Sequence, residues 1–84
     1  MQIKIFYCVV WNYEPRAVSL AAELKNSLDA QVELISGERG DFEVVVDGEL
    51  VFSKKSLSRF PEVGEITQLV RQWLLLYKPF SSLA

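Results

Sequence analysis

The residues best suited to chemistry lie in one short stretch near the N-terminus. Cys8 is the only thiol in a chain that has no histidine, and Trp11 lies three positions after it. A cysteine at position 11 would complete a Cys-x-x-Cys pair, whose two thiols can exchange a disulfide. Trp11 rules out such an internal disulfide, so Cys8 is left as a single candidate nucleophile. One thiol without histidine also gives no zinc site, and we expect no bound metal or cofactor.

Aromatic and basic side chains are further candidates, each with two interpretations. Tyr7 and Tyr13 flank the stretch and could hydrogen-bond a sulfur atom, although packing explains them equally well. Trp11 is either a partner-binding residue or a packed aromatic. A group of basic residues could hold the anionic groups of a small thiol such as glutathione, or could form ordinary solvated surface. These residues are Lys54, Lys55 and Arg59.

Length and composition limit the number of domains and the kinds of partner. The chain has 84 residues, half of them apolar, so we expect one domain over residues 1–84 with a loose tail at residues 80–84. Nine basic and eleven acidic side chains give a formal charge of −2, which argues against nucleic acid as a partner. No apolar run approaches the ~20 residues of a membrane span, and the N-terminus does not resemble a signal peptide. These features predict a cytoplasmic protein that does not bind membranes.

The first half of the chain has the pattern of a βαβ unit. Residues 3–8 alternate as a strand does, and Pro15 suits the first turn of a helix that carries an apolar stripe to residue 28. Residues 31–36 alternate again. A helix between two nearby strands implies a right-handed crossover, so strands one and two should be parallel.

The second half predicts a hairpin and a helix. Asp47-Gly48 is a two-residue turn signal between strands at 42–46 and 50–53. Pro61 is expected to open the last helix, and Pro79 to end it. The apolar face of that helix should consist of Val63, Ile66, Leu69, Val70, Trp73, Leu74 and Tyr77.

This element order, β-α-β-β-β-α, predicts a small two-layer α/β fold. We expect a mixed four-stranded sheet in the order 2-1-3-4 with both helices on one face. The ends of strands one and four and the N-termini of both helices would then share one edge of the sheet. Cys8 would lie at this edge with Arg39, Lys54, Lys55 and Arg59, in a positive field that favours a thiolate. The alternative is that an isolated cysteine is a small buried hydrophobe.

The other face of the sheet has no helix to cover it. Its side chains would be Phe6, Ile35, Val45, Leu50 and Phe52, or else their neighbours along each strand. If that first set points outward, it forms an apolar patch suited to self-association or to partner docking. We therefore expect a homodimer formed through the open sheet face.

A longer pattern extends over nearly the whole chain, in order and at fixed spacing. Its residues are Tyr7-Cys8, Tyr13, Pro15-Arg16-Ala17, Leu20-Ala21, Glu23-Leu24, Gly40, Phe42-Glu43-Val44, Val46-Asp47-Gly48, Leu50-Val51-Phe52-Ser53-Lys54 and Arg59-Phe60-Pro61-Glu62. This pattern resembles that of the selenoprotein W-like (Rdx) family, of which the chain would be a cysteine-type member. The resemblance implies a thioredoxin-like fold and a glutathione-linked thiol oxidoreductase that forms mixed disulfides with partner proteins.

The resemblance also implies roles for individual residues and shows two departures. Cys8 would be the nucleophile, with glutathione as a co-substrate. Trp11 stands where the family has its second cysteine or selenocysteine, and Ser58 replaces a glycine. Binding of glutathione or of a thiol-containing protein would use Tyr7, Tyr13, Arg16, Lys54, Lys55 and Arg59.

Two functions from different classes therefore remain open. In the first, Cys8 performs monothiol exchange, a reaction in which a single thiolate attacks a disulfide and is then released by a second external thiol. In the second, the domain is a catalytically inactive binding module that docks a partner through the Cys8–Trp11 turn or the open sheet face.

Overall fold

Seven helices and strands follow one another along the described part of the chain. The structure is a computed structural model, and it describes residues 1–77 and the side chains of residues 1–76. The elements are β1 (Gln2–Tyr7), α1 (Glu14–Ser27), β2 (Gln31–Ser36), β3 (Phe42–Val46), β4 (Glu49–Ser53), α2 (Lys54–Leu57) and α3 (Glu65–Tyr77). The predicted tail at 80–84, the helix end at Pro79 and the side chain of Tyr77 lie outside the described residues.

The four strands form one mixed sheet in the order β2-β1-β3-β4. β1 runs parallel to β2 and antiparallel to β3, and β4 returns antiparallel to β3. Ile3 on β1, for example, lies opposite Val32 on β2 and Val46 on β3. The predicted α/β architecture and strand order are confirmed.

The core lies between the sheet and the two longer helices. Ile3 and Ile5 of β1 are fully buried while Lys4 between them is exposed, as the two-residue period of a strand requires. The Thr67 hydroxyl donates a hydrogen bond of 2.8 Å to the Glu23 carboxylate and so joins α3 to α1. The buried side chains that the helices contribute are Ala17, Leu20, Ala21, Leu24, Ile66, Val70 and Trp73. Within residues 1–77, no helix is long and apolar enough to cross a membrane.

The hairpin between β3 and β4 turns at Asp47 and Gly48, as predicted. Both residues have positive φ, 46° and 88°, which is the requirement of a type I′ turn. Val46 pairs with Glu49 on either side of the turn. The hairpin is therefore fixed by its two central residues.

A bulge in β4 reverses one predicted orientation. Val45 pairs with Leu50 and Val44 pairs with Phe52, so Val51 is an extra residue in the ladder. Phe52 consequently points into the core and is buried, and its inclusion with the outward set was wrong. The remaining members of that set lie on the open face and are Phe6, Ile35, Val45 and Leu50.

The last helix begins later than predicted. Gly64 has a φ of +81°, which is outside the helical region, and the Glu65 N–H bonds back to the Glu62 carbonyl in a turn. α3 therefore starts at Glu65, not at Pro61, and Val63 is fully exposed instead of facing the core. The sequence also gave no sign of α2, a single turn directly after β4.

Candidate functional site

Cys8 follows β1 and begins a tight turn that leads into α1. Its N–H donates to the Asp41 carbonyl at 2.9 Å, and its carbonyl accepts from the Tyr13 N–H at 3.0 Å. Asn12 has a φ of 58°, a conformation that asparagine tolerates better than most residues. These bonds hold residues 9–12 as a projection from the edge of the sheet.

The turn buries its thiol and exposes its apolar side chains. Cys8 is only 1% exposed, whereas Trp11 is 52% exposed and the neighbouring Val9 and Val10 are 56% and 71% exposed. The Trp11 main-chain N–H points at the Cys8 Sγ, with the nitrogen 3.3 Å from the sulfur. Position 11 is thus an exposed position of the turn, and it carries an indole. Val9, Val10 and Trp11 are called the apolar turn below.

The Trp11 indole rests on the turn between β2 and β3. A Cβ added to Gly40 would lie 3.1 Å from Cζ3 of the indole. Gly40 also has a φ of +82°, which side-chain-bearing residues rarely adopt. A glycine is therefore needed here both for the backbone conformation and for the approach of Trp11.

The indole begins a row of three aromatic rings. The Trp11 and Tyr13 ring centroids are 6.1 Å apart, and the Tyr13 and Phe60 centroids are 4.7 Å apart, both in edge-to-face geometry. Phe60 in turn contacts Phe42 of the core with a centroid separation of 5.3 Å. This aromatic row, Trp11, Tyr13 and Phe60, connects the apolar turn to the core.

Two basic side chains lie against the aromatic row. The Arg16 guanidinium carbon is 4.1 Å from the Phe60 ring centroid. The Lys54 Nζ is 5.2 Å from the same centroid and 5.5 Å from that of Tyr13. All three distances are within the range of a cation–π interaction.

The other two basic site residues are paired with carboxylates. Lys55 Nζ is 2.6 Å from an Asp41 carboxylate oxygen. Burial alone would raise the pKa of the Asp41 carboxyl, but hydrogen bonds from Lys55 and from the Glu38 N–H together lower it. Arg59 makes two hydrogen bonds of 2.7 Å to the Glu65 carboxylate.

The ion pair between Arg59 and Glu65 strongly lowers the pKa of the Glu65 carboxyl. The bonds from Arg59, together with a 2.9 Å bond from the Glu62 N–H, lower the pKa of Glu65 to about 2. The same interaction raises the pKa of Arg59, so both groups stay charged at neutral pH.

The predicted site residues thus fall into separate groups. Tyr13, Arg16 and Lys54 meet around Phe60, near the apolar turn. Tyr7 lies apart, with its hydroxyl 3.5 Å from the Glu14 carboxylate.

Three residues of the site were missed from the sequence. The sequence assigns Phe60 to the longer pattern but not to the site, and it assigns Val9 and Val10 to neither. The two valines had a local signal, since they lie between Cys8 and Trp11 outside any predicted strand. Phe60 had none, because its position against Tyr13 is a long-range contact.

A small cavity lies beside the aromatic row. It has a volume of about 150 Å³ between α1 and the segment that precedes α3, and its lining includes Arg16, Leu20, Phe42 and Phe60. Cys8 does not line it. No group of three or more histidine, cysteine or carboxylate side chains within residues 1–77 could hold a metal ion.

The sequence profile of the Rdx family matches residues 2–72, which is most of the chain. The chain belongs to the Rdx family. This family is redox-associated. In family members with Cys-x-x-Cys spacing, the second thiol would occupy the position of Trp11, which is exposed in this Rdx domain.

Individual relatives agree with the family assignment. Migration and invasion enhancer 1 from Bos taurus is 29% identical over 73 residues, which are 86% of this chain and 64% of the relative. The Rdx domain thus spans 64% of the length of the curated relative that it matches.

Two solved structures share its fold. A selenoprotein W-related protein from Vibrio cholerae superposes with a TM-score of 0.79 at 28% identity, covering 87% of this chain and 95% of that one. A protein from Bordetella parapertussis superposes with a TM-score of 0.81 at 30% identity, covering 87% and 96%.

Proposed function

We propose that this Rdx domain is a partner-binding module that has lost dithiol chemistry and binds other proteins through its apolar turn. One observation carries the proposal: the turn exposes the side chains of Val9, Val10 and Trp11, while Cys8, the one cysteine of the sequence, is buried. A thiol at 1% exposure cannot meet a disulfide of another molecule without opening the turn.

The exposed side chains of the turn have the character of a binding surface. Val9, Val10 and Trp11 are consecutive, apolar and more than half exposed, and they project from a turn fixed by main-chain hydrogen bonds. Tryptophan is enriched among residues that dominate binding energy at protein interfaces. A turn that is already ordered loses little conformational entropy on binding.

Affinity capture with the immobilised domain tests the proposal. We expect partners to be captured by the wild type and by Cys8→Ser alike, and to stay bound under dithiothreitol. Capture should be lost in Trp11→Ala and in Val10→Ser. Leu75→Ser is the matched control, because Leu75 is an exposed apolar residue of α3 outside the turn. Loss of capture in Cys8→Ser, or release by dithiothreitol, would contradict non-covalent binding.

A second candidate function is monothiol exchange with glutathione through Cys8. The observation that favours it is the Trp11 N–H directed at the Cys8 sulfur, because it shows that the sulfur accepts a hydrogen bond from the turn. The thiolate would attack the sulfur of a glutathionylated protein, forming a Cys8–glutathione disulfide and releasing the protein thiolate. A second glutathione thiolate would then release Cys8 and leave as glutathione disulfide. This route requires residues 9–12 to move away from Cys8.

A glutathione-coupled disulfide reduction assay separates the two functions. If the domain is a binding module, wild type and Cys8→Ser show equal background rates. Trp11→Cys should then gain activity well above that background, because it supplies a thiol at the exposed position. An active wild type together with an inactive Cys8→Ser would establish monothiol exchange instead. For either function we propose a reducing cytoplasmic setting, in which the single thiol stays reduced.

A further inference from the structure

The positive charge at this edge of the sheet is only partly balanced. Lys55 and Arg59 are bonded to Asp41 and Glu65. Arg16 and Lys54 contact aromatic rings, and neither has a carboxylate within ion-pair distance among residues 1–77. Among the described residues, the two cations that contact the aromatic row, Arg16 and Lys54, are therefore left without an acidic partner.

These two cations adjoin the apolar turn. Lys54 Nζ lies 5.5 Å from the Tyr13 ring centroid, and that centroid lies 6.1 Å from the one of Trp11. The Arg16 guanidinium lies against the next ring of the aromatic row, 4.1 Å from the centroid of Phe60. A cation over an aromatic face keeps N–H donors that can bond a carboxylate. Apolar and anionic groups of a ligand could thus be bound side by side.

We infer that the partner segment recognised here is an acidic peptide in which carboxylate side chains alternate with large apolar ones. The apolar side chain packs against Val10 and Trp11, and the carboxylates bond to Lys54 and Arg16. The inference rests on the proposed function and specifies the chemistry of the partner. Nucleic acid fits less well, because two cations on a chain of formal charge −2 offer little to a polyanion.

Fluorescence anisotropy with designed peptides tests the inference. The probe is a fluorescein-labelled octapeptide in which two glutamates alternate with two leucines at the centre, flanked by glycine and serine. Its counterpart carries glutamine in place of glutamate. We expect the acidic peptide to bind roughly fivefold more tightly, and the difference to shrink as salt is added.

Variants of the full chain then locate the site. Lys54→Gln and Arg16→Gln should each weaken binding of the acidic peptide about two- to fivefold and leave the glutamine peptide unaffected. Lys25→Gln changes the net charge equally but lies in the last turn of α1, and it should leave both affinities unchanged. Circular dichroism verifies that each variant is folded.

Failure of this inference is distinguishable from failure of the proposed function. Equal binding of both peptides, lost in Trp11→Ala and Val10→Ser, would overturn the acidic specificity and leave the apolar turn as a binding site. If Lys25→Gln and Lys54→Gln weakened binding of the acidic peptide equally, the effect would be one of net charge, and the proposed binding site would be wrong. Binding of neither peptide, or displacement of the acidic peptide by an oligothymidylate of equal length, would also overturn the inference.

Discussion

Ser58 ends α2 in a backbone conformation that is unfavourable for a residue with a side chain. Its φ and ψ are 61° and 29°, in the left-handed region, and its N–H bonds to the Lys54 carbonyl at 2.6 Å. Glycine is the usual residue at such a helix end, and the longer Rdx pattern has glycine at this position. We expect Ser58→Gly to raise the free energy of unfolding by about 0.5–1 kcal/mol, because it removes the steric cost.

Urea denaturation of the wild type and Ser58→Gly measures this gain. Ser56→Gly is the matched control, since Ser56 lies within α2 and has no positive φ. It should destabilise the domain by about 0.5–1 kcal/mol. A Ser58→Gly variant no more stable than the wild type would show that the left-handed conformation carries no strain.

Gly40 also has a positive φ, and it lies against the Trp11 ring of the site. An alanine here meets both the positive φ and the Trp11 ring, whereas Gly64 has a φ of +81° with nothing near its Cβ position. Gly40→Ala should therefore destabilise the domain by about 1–2 kcal/mol, and by more than Gly64→Ala does. The Trp11 contribution should also disappear in a Trp11→Ala background, where both substitutions would cost about the same. Equal effects in the wild-type background would contradict a packed indole.

At the level of elements, an ion pair joins Arg59 to the first residue of α3. Glu65 is the first residue of the helix, and its carboxylate accepts from Arg59 and from the Glu62 N–H. The ion pair between Arg59 and Glu65 holds the segment that contains Phe60 against the start of α3. It also makes this junction sensitive to acid, because the pKa of Glu65 in the folded state is about 2 and its ordinary value is 4.5.

The depressed pKa of Glu65 sets the direction of the pH effect. The ionised form is favoured by folding, so its contribution is fully present above about pH 4.5 and is lost as the pH falls toward 2. At neutral pH we expect Glu65→Gln to lower the free energy of unfolding by about 0.5–1 kcal/mol, as for an exposed ion pair. The difference from the wild type should then vanish between pH 4.5 and 2.

Denaturation curves at several pH values measure that difference. In an Arg59→Gln background, Glu65→Gln should have a much smaller effect, because the partner is already absent. A difference that persisted unchanged at pH 2 would show that the glutamine acts through helix capping and not through the lost charge.

The sequence predicted the elements that depend on local signals. Alternation located β1, and the positive-φ pair Asp47-Gly48 located the hairpin. The errors had one long-range cause, the pairing of β4 with β3, and one local cause, a glycine with positive φ. The bulge at Val51 turned Phe52 into the core, and Gly64 delayed a helix that Pro61 was expected to open.

The location of the site was predictable from the sequence, but the ion pairs made by its basic side chains were not. Strand order alone placed the residue after β1, the turn before β3 and the connection after β4 at one edge of the sheet, and the bond from the Cys8 N–H to the Asp41 carbonyl agrees. The pairing of Lys55 and Arg59 with carboxylates depends on side-chain positions that no periodicity encodes. The same holds for the burial of the Cys8 thiol.

At the scale of the whole molecule, the sheet separates two surfaces. Both longer helices pack on one face, and the site lies at one edge between the sheet and α1. The opposite face has no helix among the described residues, and two of its apolar pairs are cross-strand neighbours, Phe6 with Ile35 and Val45 with Leu50. A partner held by the apolar turn would therefore leave this face free.

Self-association through the open face is the remaining prediction. Two copies that pack these faces together would bury Phe6, Ile35, Val45 and Leu50, and would leave both apolar turns exposed at the edges. We expect sedimentation velocity to show a species of twice the chain mass that dissociates on dilution. Leu50→Lys should shift it to monomer, because a lysine on each copy would be buried at a mainly apolar contact. Leu75→Lys adds the same charge on α3 and should leave the dimer intact, whereas a monomeric wild type or an equal effect of both variants would exclude this interface.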